Sequence, residues 1–182
     1  MSQLANFSAE EQDLIVSLFY RAGIYVSHAE DEDGDLDDDL EMKALERVIR
    51  ALAKNEKKSP FLQSVAQAAL DSQDKWQEWT DRYFQVENDC QKVVALLHPA
   101  LPKPDFNRYR MSLVKIGEIV AAAYGEFGED VKEEEGFFSM LVDKVSGGLK
   151  SAQDEDAFLN ITPAETQAIS DLKRALKAPD ED

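Results

Sequence analysis

The sequence predicts an all-α fold of about seven helices. Apolar residues recur at helical spacing along most of the 182-residue chain, and strand-like alternation is nearly absent. Capping residues and prolines stand where those helices would begin. With 43% apolar residues the chain has enough material for a core. One all-helical domain over 1–182 is expected, with one half over 8–98, a proline-rich linker over 99–104, a second half over 105–177 and a charged tail over 178–182.

Ser8 with Glu11 forms a capping-box pattern, after which Leu14, Ile15, Leu18, Phe19, Ala22, Tyr25, Val26 and Ala29 follow one helical face. Beyond an acidic turn, Asp38 or Asp39 caps a second helix. Its Leu40, Ala44, Leu45, Val48, Ile49 and Leu52 share a face up to Lys54, where a basic residue suits a helix C-terminus. Ser59-Pro60 opens a third helix running to Leu70. Asp71 or Ser72 caps a longer fourth one, carrying Trp76, Trp79, Tyr83, Phe84, Val86, Val93, Val94, Leu96 and Leu97. The two tryptophans at this spacing are read as packing rather than as a cofactor box. Pro99, Pro102 and Pro104 then break the helix.

The second half resumes with a helix over 105–124, in which Phe106, Tyr109, Leu113, Ile116, Ile119, Val120 and Ala123 face inward. A glycine-bearing acidic turn, Gly125 to Glu135, leads into a helix beginning near Asp130 with Phe137, Phe138, Leu141, Val142 and Val145, which Gly147-Gly148 can end. Thr162-Pro163-Ala164-Glu165 announces the last helix, through Ile169, Leu172 and Leu176. Ala22–Leu45 and Ile119–Leu141 match in pattern rather than in letters, and duplication is the hypothesis this suggests.

Charge narrows the function classes. With 37 acidic against 20 basic residues the net charge is −17, a field that repels nucleic-acid phosphates and anionic lipid. It attracts cations and basic protein surfaces instead. Cys90 is the only cysteine, so no intrachain disulfide or thiolate-rich zinc site can form, and a cytoplasmic setting is expected. No segment reaches transmembrane length and the N-terminus lacks a secretory pattern, which leaves peripheral membrane association through a partner.

The strongest candidate site is Glu30 to Glu41, where nine of twelve residues are carboxylates and none is basic. Mutual repulsion among them is relieved by a divalent cation if the backbone gathers the carboxylates; otherwise the run is a solvated loop. Placing Gly34 at position 6 of an EF-hand loop puts Asp31, Asp33, Asp35 and Asp37 at positions 3, 5, 7 and 9. Ala29 and Leu40 then occupy the two end-ligand positions. A site here is therefore non-standard and weak, with Asp31, Asp33, Asp35 and Asp37 as ligands and Glu41 reaching back. Oxygen ligands select Ca2+, or Mg2+ or Mn2+, over zinc.

Other chemistry finds less support. His28 beside the run is more often a helix-end side chain than a ligand, and His98 has no catalytic companion. Cys90 has no basic or histidine neighbour in sequence to lower its pKa. No phosphate loop, His-Glu-x-x-His helix or Gly-x-Ser-x-Gly elbow occurs, and neither histidine has a glutamate three residues before it. The expectation is a protein without catalytic activity.

The chain resembles the TerB-like family of tellurite-resistance proteins. That family's signature is a helix ending in alanines, then Asp-Gly, an apolar residue two places on, and a glutamate opening the next helix. Ala29, Asp33-Gly34, Leu36 and Glu41 carry the match in the first half. In the second half Ala121 to Ala123, Gly125, Phe127 and Glu133 to Glu135 carry it, but Tyr124 stands where the family has aspartate. The resemblance implies about seven helices in two related halves and an acidic face that binds divalent cations in some members. It also implies stress responses around tellurium compounds, inner-membrane-associated complexes, and no catalytic reaction. Two readings follow: a cation-responsive helical protein of this kind, or an acidic adaptor that docks basic segments of a protein partner without metal.

Overall fold

Helix α1, Ala9–Ser27, is buried without interruption from Ile15 to Ile24, which a helix achieves only when neighbours surround it. In the computed structural model, which describes residues 3–29, 36–56, 58–126 and 161–179, those neighbours are all the other described α-helices. Of residues 36–41, 55 and 123–126 the backbone alone is described. The remaining helices are α2 (Leu36–Asn55), α3 (Pro60–Asp71), the short α4 (Trp76–Thr80), α5 (Val86–Ala100), α6 (Lys103–Glu126) and α7 (Pro163–Ala175). Three 3-10 turns, Gln3–Asn6, Gln73–Lys75 and Tyr83–Gln85, complete the secondary structure, and no strand occurs among the described residues. The all-α class read from the sequence is the observed one.

The local signals that open the helices act as expected. Ser8 accepts from the Glu11 amide while the Glu11 carboxylate accepts from the Ser8 amide at 2.8 Å; Thr162 and Glu165 repeat the exchange at the start of α7. Ser59 caps α3 by accepting from Leu62, with Pro60 at the first helical position. α2 begins at Leu36, ahead of the Asp38 or Asp39 cap expected for it.

Three expectations need correction. The long fourth helix is two helices, because the chain turns at Asp81-Arg82. There the Arg82 carbonyl accepts from the Gln85 amide at 3.1 Å, in a tight 3-10 turn, and from the Arg21 guanidinium at 2.7 Å. The proline-rich break is also narrower than 99–104. α5 runs through Pro99 to Ala100, and α6 starts at Lys103 with Pro104 in its first turn. A proline in the last turn forfeits one hydrogen bond only, and just Leu101 and Pro102 lie outside helix. Leu101 is extended (φ −113°, ψ 152°), as steric exclusion before Pro102 requires. Third, α1 is not amphipathic through its middle: Tyr20, Arg21 and Gly23, off the expected face, are buried too.

α6 lies against both α1 and α2, so segments on either side of Leu101-Pro102 share one continuous core. Tyr109 of α6 donates to the Ile15 carbonyl of α1 at 2.8 Å, and its ring packs 5.4 Å from that of Phe19 and 6.1 Å from that of Phe61. Two glycines set the spacing. A Cβ on Gly23 would stand 2.6 Å from Leu45 Cδ1, and one on Gly117 would stand 2.9 Å from Val26 Cγ2. The helix expected from about Asp130 to Gly147-Gly148 lies outside the described residues.

Candidate functional site

Residues 28–35 connect α1 to α2, and five of the six residues 30–35 are acids. Both flanks of the connection are held. The His28 and Ala29 amides close the end of α1 by donating hydrogen bonds to the Ile24 and Val26 carbonyls, at 2.9 and 3.1 Å. α2 is seated by Leu45, Val48, Ile49 and Leu52, all at most 2% exposed. Tyr20 of α1 also meets Met42 of α2, hydroxyl to sulfur, at 3.8 Å.

Of the expected ligands, Asp31, Asp33 and Asp35 lie outside the described residues. Asp37 and Glu41 fall within the first turns of α2, one helical turn apart, with only their backbone described. No group of three or more histidine, cysteine or acidic side chains is placed to hold a metal among the described residues.

His28 is turned to packing. Its ring lies 4.6 Å from that of Tyr83, and Nδ1 is 3.1 Å from the Ile24 carbonyl. His98 meets the edge of Phe106, with ring centroids 5.2 Å apart. Both tryptophans serve the core as well: Trp79 is buried, and Trp76 stacks on Tyr20 at 4.6 Å while donating to the Ala69 carbonyl at 3.0 Å.

A polar centre that sequence reasoning missed lies between α1 and α5. Arg21 is fully buried and Asp89 is 5% exposed. The Arg21 Nη2 donates to Asp89 Oδ2 at 2.8 Å, and Lys92 donates to Asp89 Oδ1 at 2.9 Å. Burial alone would raise the Asp89 pKa, but the hydrogen bonds and charges of Lys92 and Arg21 outweigh it and hold it below the ordinary carboxylate value. Above this pair a cleft opens, where Asp13 bridges Lys75 at 3.4 Å and Arg82 at 3.3 Å. The available signal was Arg21 itself, a cation within the apolar run Leu14 to Val26, which demands a buried partner.

Cys90, next to Asp89, has a basic neighbour after all, since Arg21 reaches it from α1. Burial still dominates, pushing the thiol up to about 12, and Arg21 offsets only part of that. The Tyr25 hydroxyl donates to Glu87 at 2.7 Å, and Arg174 of α7 reaches the other Glu87 oxygen at 3.4 Å, an interaction that ties three helices together.

No described helix is long and apolar enough to cross a membrane. Comparison with protein-family models, with curated proteins and with solved structures finds no match to this chain.

Proposed function

We propose that the chain is a non-enzymatic, cation-responsive helical module of the TerB-like kind. A divalent cation, Ca2+ or else Mg2+ or Mn2+, binds weakly through Asp31, Asp33, Asp35, Asp37 and Glu41 and stiffens the joint between α1 and α2. The observation that supports this reading is the shortness of the joint between two helices already committed to the core. Within it, the six residues 30–35 span at most about 20 Å, so Glu30, Asp31, Glu32, Asp33 and Asp35 are confined to a small volume beside the first turn of α2. Their repulsion favours uptake of a hard cation with oxygen ligands. The setting proposed is the cytoplasm, in a stress response of the family's kind, with peripheral contact to membranes made through partners.

The second reading rests on the same charge. Nine carboxylates among residues 30–41, in a chain of net −17, would dock a basic segment of a protein partner without metal.

Calorimetric titration of the full chain with Ca2+, Mg2+ and Mn2+ separates the two. Cation binding predicts heat saturating near one ion per chain and a rise in melting temperature with ion concentration, both lost in Asp33→Asn/Asp35→Asn. No heat and no shift at millimolar ion overturns it and leaves the adaptor reading, which a basic peptide titration then tests.

A further inference from the structure

The cleft above Arg21 and Asp89 has a volume of about 550 Å³, within the range of about 300–1,000 Å³ typical of small-molecule sites. Three segments line it: the first half of α1, the stretch from Lys75 to Gln85, and the start of α5. In its floor Arg21 and Asp89 neutralise each other. Its mouth carries three cations, Lys75, Arg82 and Lys92, and three carboxylates, Glu10, Asp13 and Glu78.

The pairing in this mouth is loose. Charge-assisted N–H···O bonds close at about 2.7–2.9 Å, as the two on Asp89 do, at 2.8 and 2.9 Å. The contacts of Asp13 with Lys75 and Arg82 are 3.4 and 3.3 Å, and Glu78 stands 3.5 Å from Arg82. Both of these carboxylates reach Nη2 of Arg82, whereas its Nε meets no acceptor and is shut off from water. The Nε of Arg21 is in the same state. A buried N–H without an acceptor keeps its whole desolvation penalty, which a ligand oxygen would remove. Glu10 is exposed and forms no ion pair among the described residues.

We infer that this cleft binds a small zwitterion, an amino-acid-sized molecule carrying both a carboxylate and an ammonium group. The planar carboxylate engages the Nε and Nη2 edge of Arg82 in two parallel bonds, a geometry that a guanidinium offers and an ammonium does not. The Arg82 side chain is 35% exposed and held by long contacts only, so it can turn that edge toward the cleft. Asp13 then closes on Lys75, and Glu78, released from Arg82, joins Glu10 in receiving the ligand's ammonium group. Charge selects the ligand class. Equal numbers of cations and carboxylates in the mouth leave no net attraction for a phosphate, and the net −17 of the chain repels one. An uncharged polar molecule would deny Arg82 its charge-assisted bonds. The cleft shares no residue with the acidic joint.

Thermal melting and calorimetric titration of the full chain with each of the standard amino acids are the test, with acetate, methylammonium and inorganic phosphate as comparison probes. At least one amino acid should bind with a Kd of about 1 mM or tighter and raise the melting temperature. Acetate, methylammonium and phosphate should each bind at least about tenfold more weakly. Arg82→Lys, which keeps the charge and removes the fork, should weaken binding of that amino acid at least about tenfold. Glu10→Gln/Glu78→Gln should weaken it as well while leaving acetate unaffected; both side chains are exposed, so the fold should tolerate the change. The bound amino acid should also shift the Arg82 Nε–H resonance in NMR spectra, a signal that a merely structural arginine would not give. Absence of binding by every amino acid at millimolar concentration overturns the inference. So does binding that Arg82→Lys leaves intact, or phosphate binding more tightly than any amino acid.

Discussion

Arg21 of α1 and Asp89 of α5 meet at 2.8 Å across 68 positions of sequence, with both side chains almost wholly removed from water. Such a pair adds little net stability over an apolar substitute, but removing one member strands the other charge. Asp89→Ala should therefore cost about 3–5 kcal/mol in urea denaturation. The double change Arg21→Met/Asp89→Leu should recover most of that loss. A single substitution costing under about 1 kcal/mol would show that water reaches Arg21 and compensates it.

The same pair should contribute to the acid limb of stability. The Asp89 carboxyl titrates lower in the folded chain than its ordinary value of 3.8, so the unfolded chain binds its proton more readily. Its contribution is fully present above the unfolded pKa and disappears as pH falls through the lower folded value. Melting temperature measured from pH 5 downwards should fall less steeply in Asp89→Asn than in wild type, after allowance for the variant's lower plateau. Parallel slopes would mean that other carboxylates dominate acid unfolding.

At alkaline pH the sign reverses. Burial raises the Cys90 thiol to about 12 and also raises the hydroxyls of Tyr25 and Tyr109, so each releases its proton more readily when unfolded. Stability should decline as pH rises through the unfolded thiol value of about 8.5, and Cys90→Ala should flatten the first part of that decline. The native thiol should be inert to a thiol-exchange reagent at pH 8 and react at the rate of global opening. A fast, stoichiometric reaction in the native protein would contradict the burial.

What the sequence made legible was local. Ser8 with Glu11, Ser59 with Pro60, and Thr162 with Glu165 each complete their hydrogen bonds within three residues, so the starts of α1, α3 and α7 could be read directly. Arg21 could not be assigned a partner, because Asp89 is brought to it only when α1 is enclosed. The turn at Arg82 was hidden for the same reason, since the group that takes its carbonyl belongs to α1. Periodicity also understates a central helix: it marks one face of α1, while burial extends to Tyr20 and Gly23 on the others. For the acidic joint, residue type and spacing give the candidate ligands but not the convergence of their oxygens, which depends on backbone torsions that carboxylate side chains do not dictate.

The contact between Gly23 and Leu45 gives a prediction in which two effects of opposite sign compete. Alanine in place of a mid-helix glycine favours the helix by about 0.5–1 kcal/mol. Here, however, the new Cβ would stand 2.6 and 3.0 Å from the two methyl groups of Leu45 and 3.2 Å from Val120 Cγ2. Leu45 and Val120 are each 1% exposed, so neither has open space to move into, and overpacking of this kind costs about 1–3 kcal/mol. The clash should win, leaving Gly23→Ala less stable than wild type in thermal and urea melts. Leu45→Ala alone should cost about 2–5 kcal/mol through the cavity it opens. In the double variant the added methyl group enters that cavity, so the combined loss should be smaller than the sum by at least about 0.5 kcal/mol. Strict additivity would place the two residues out of contact and refute the close approach of α1 to α2.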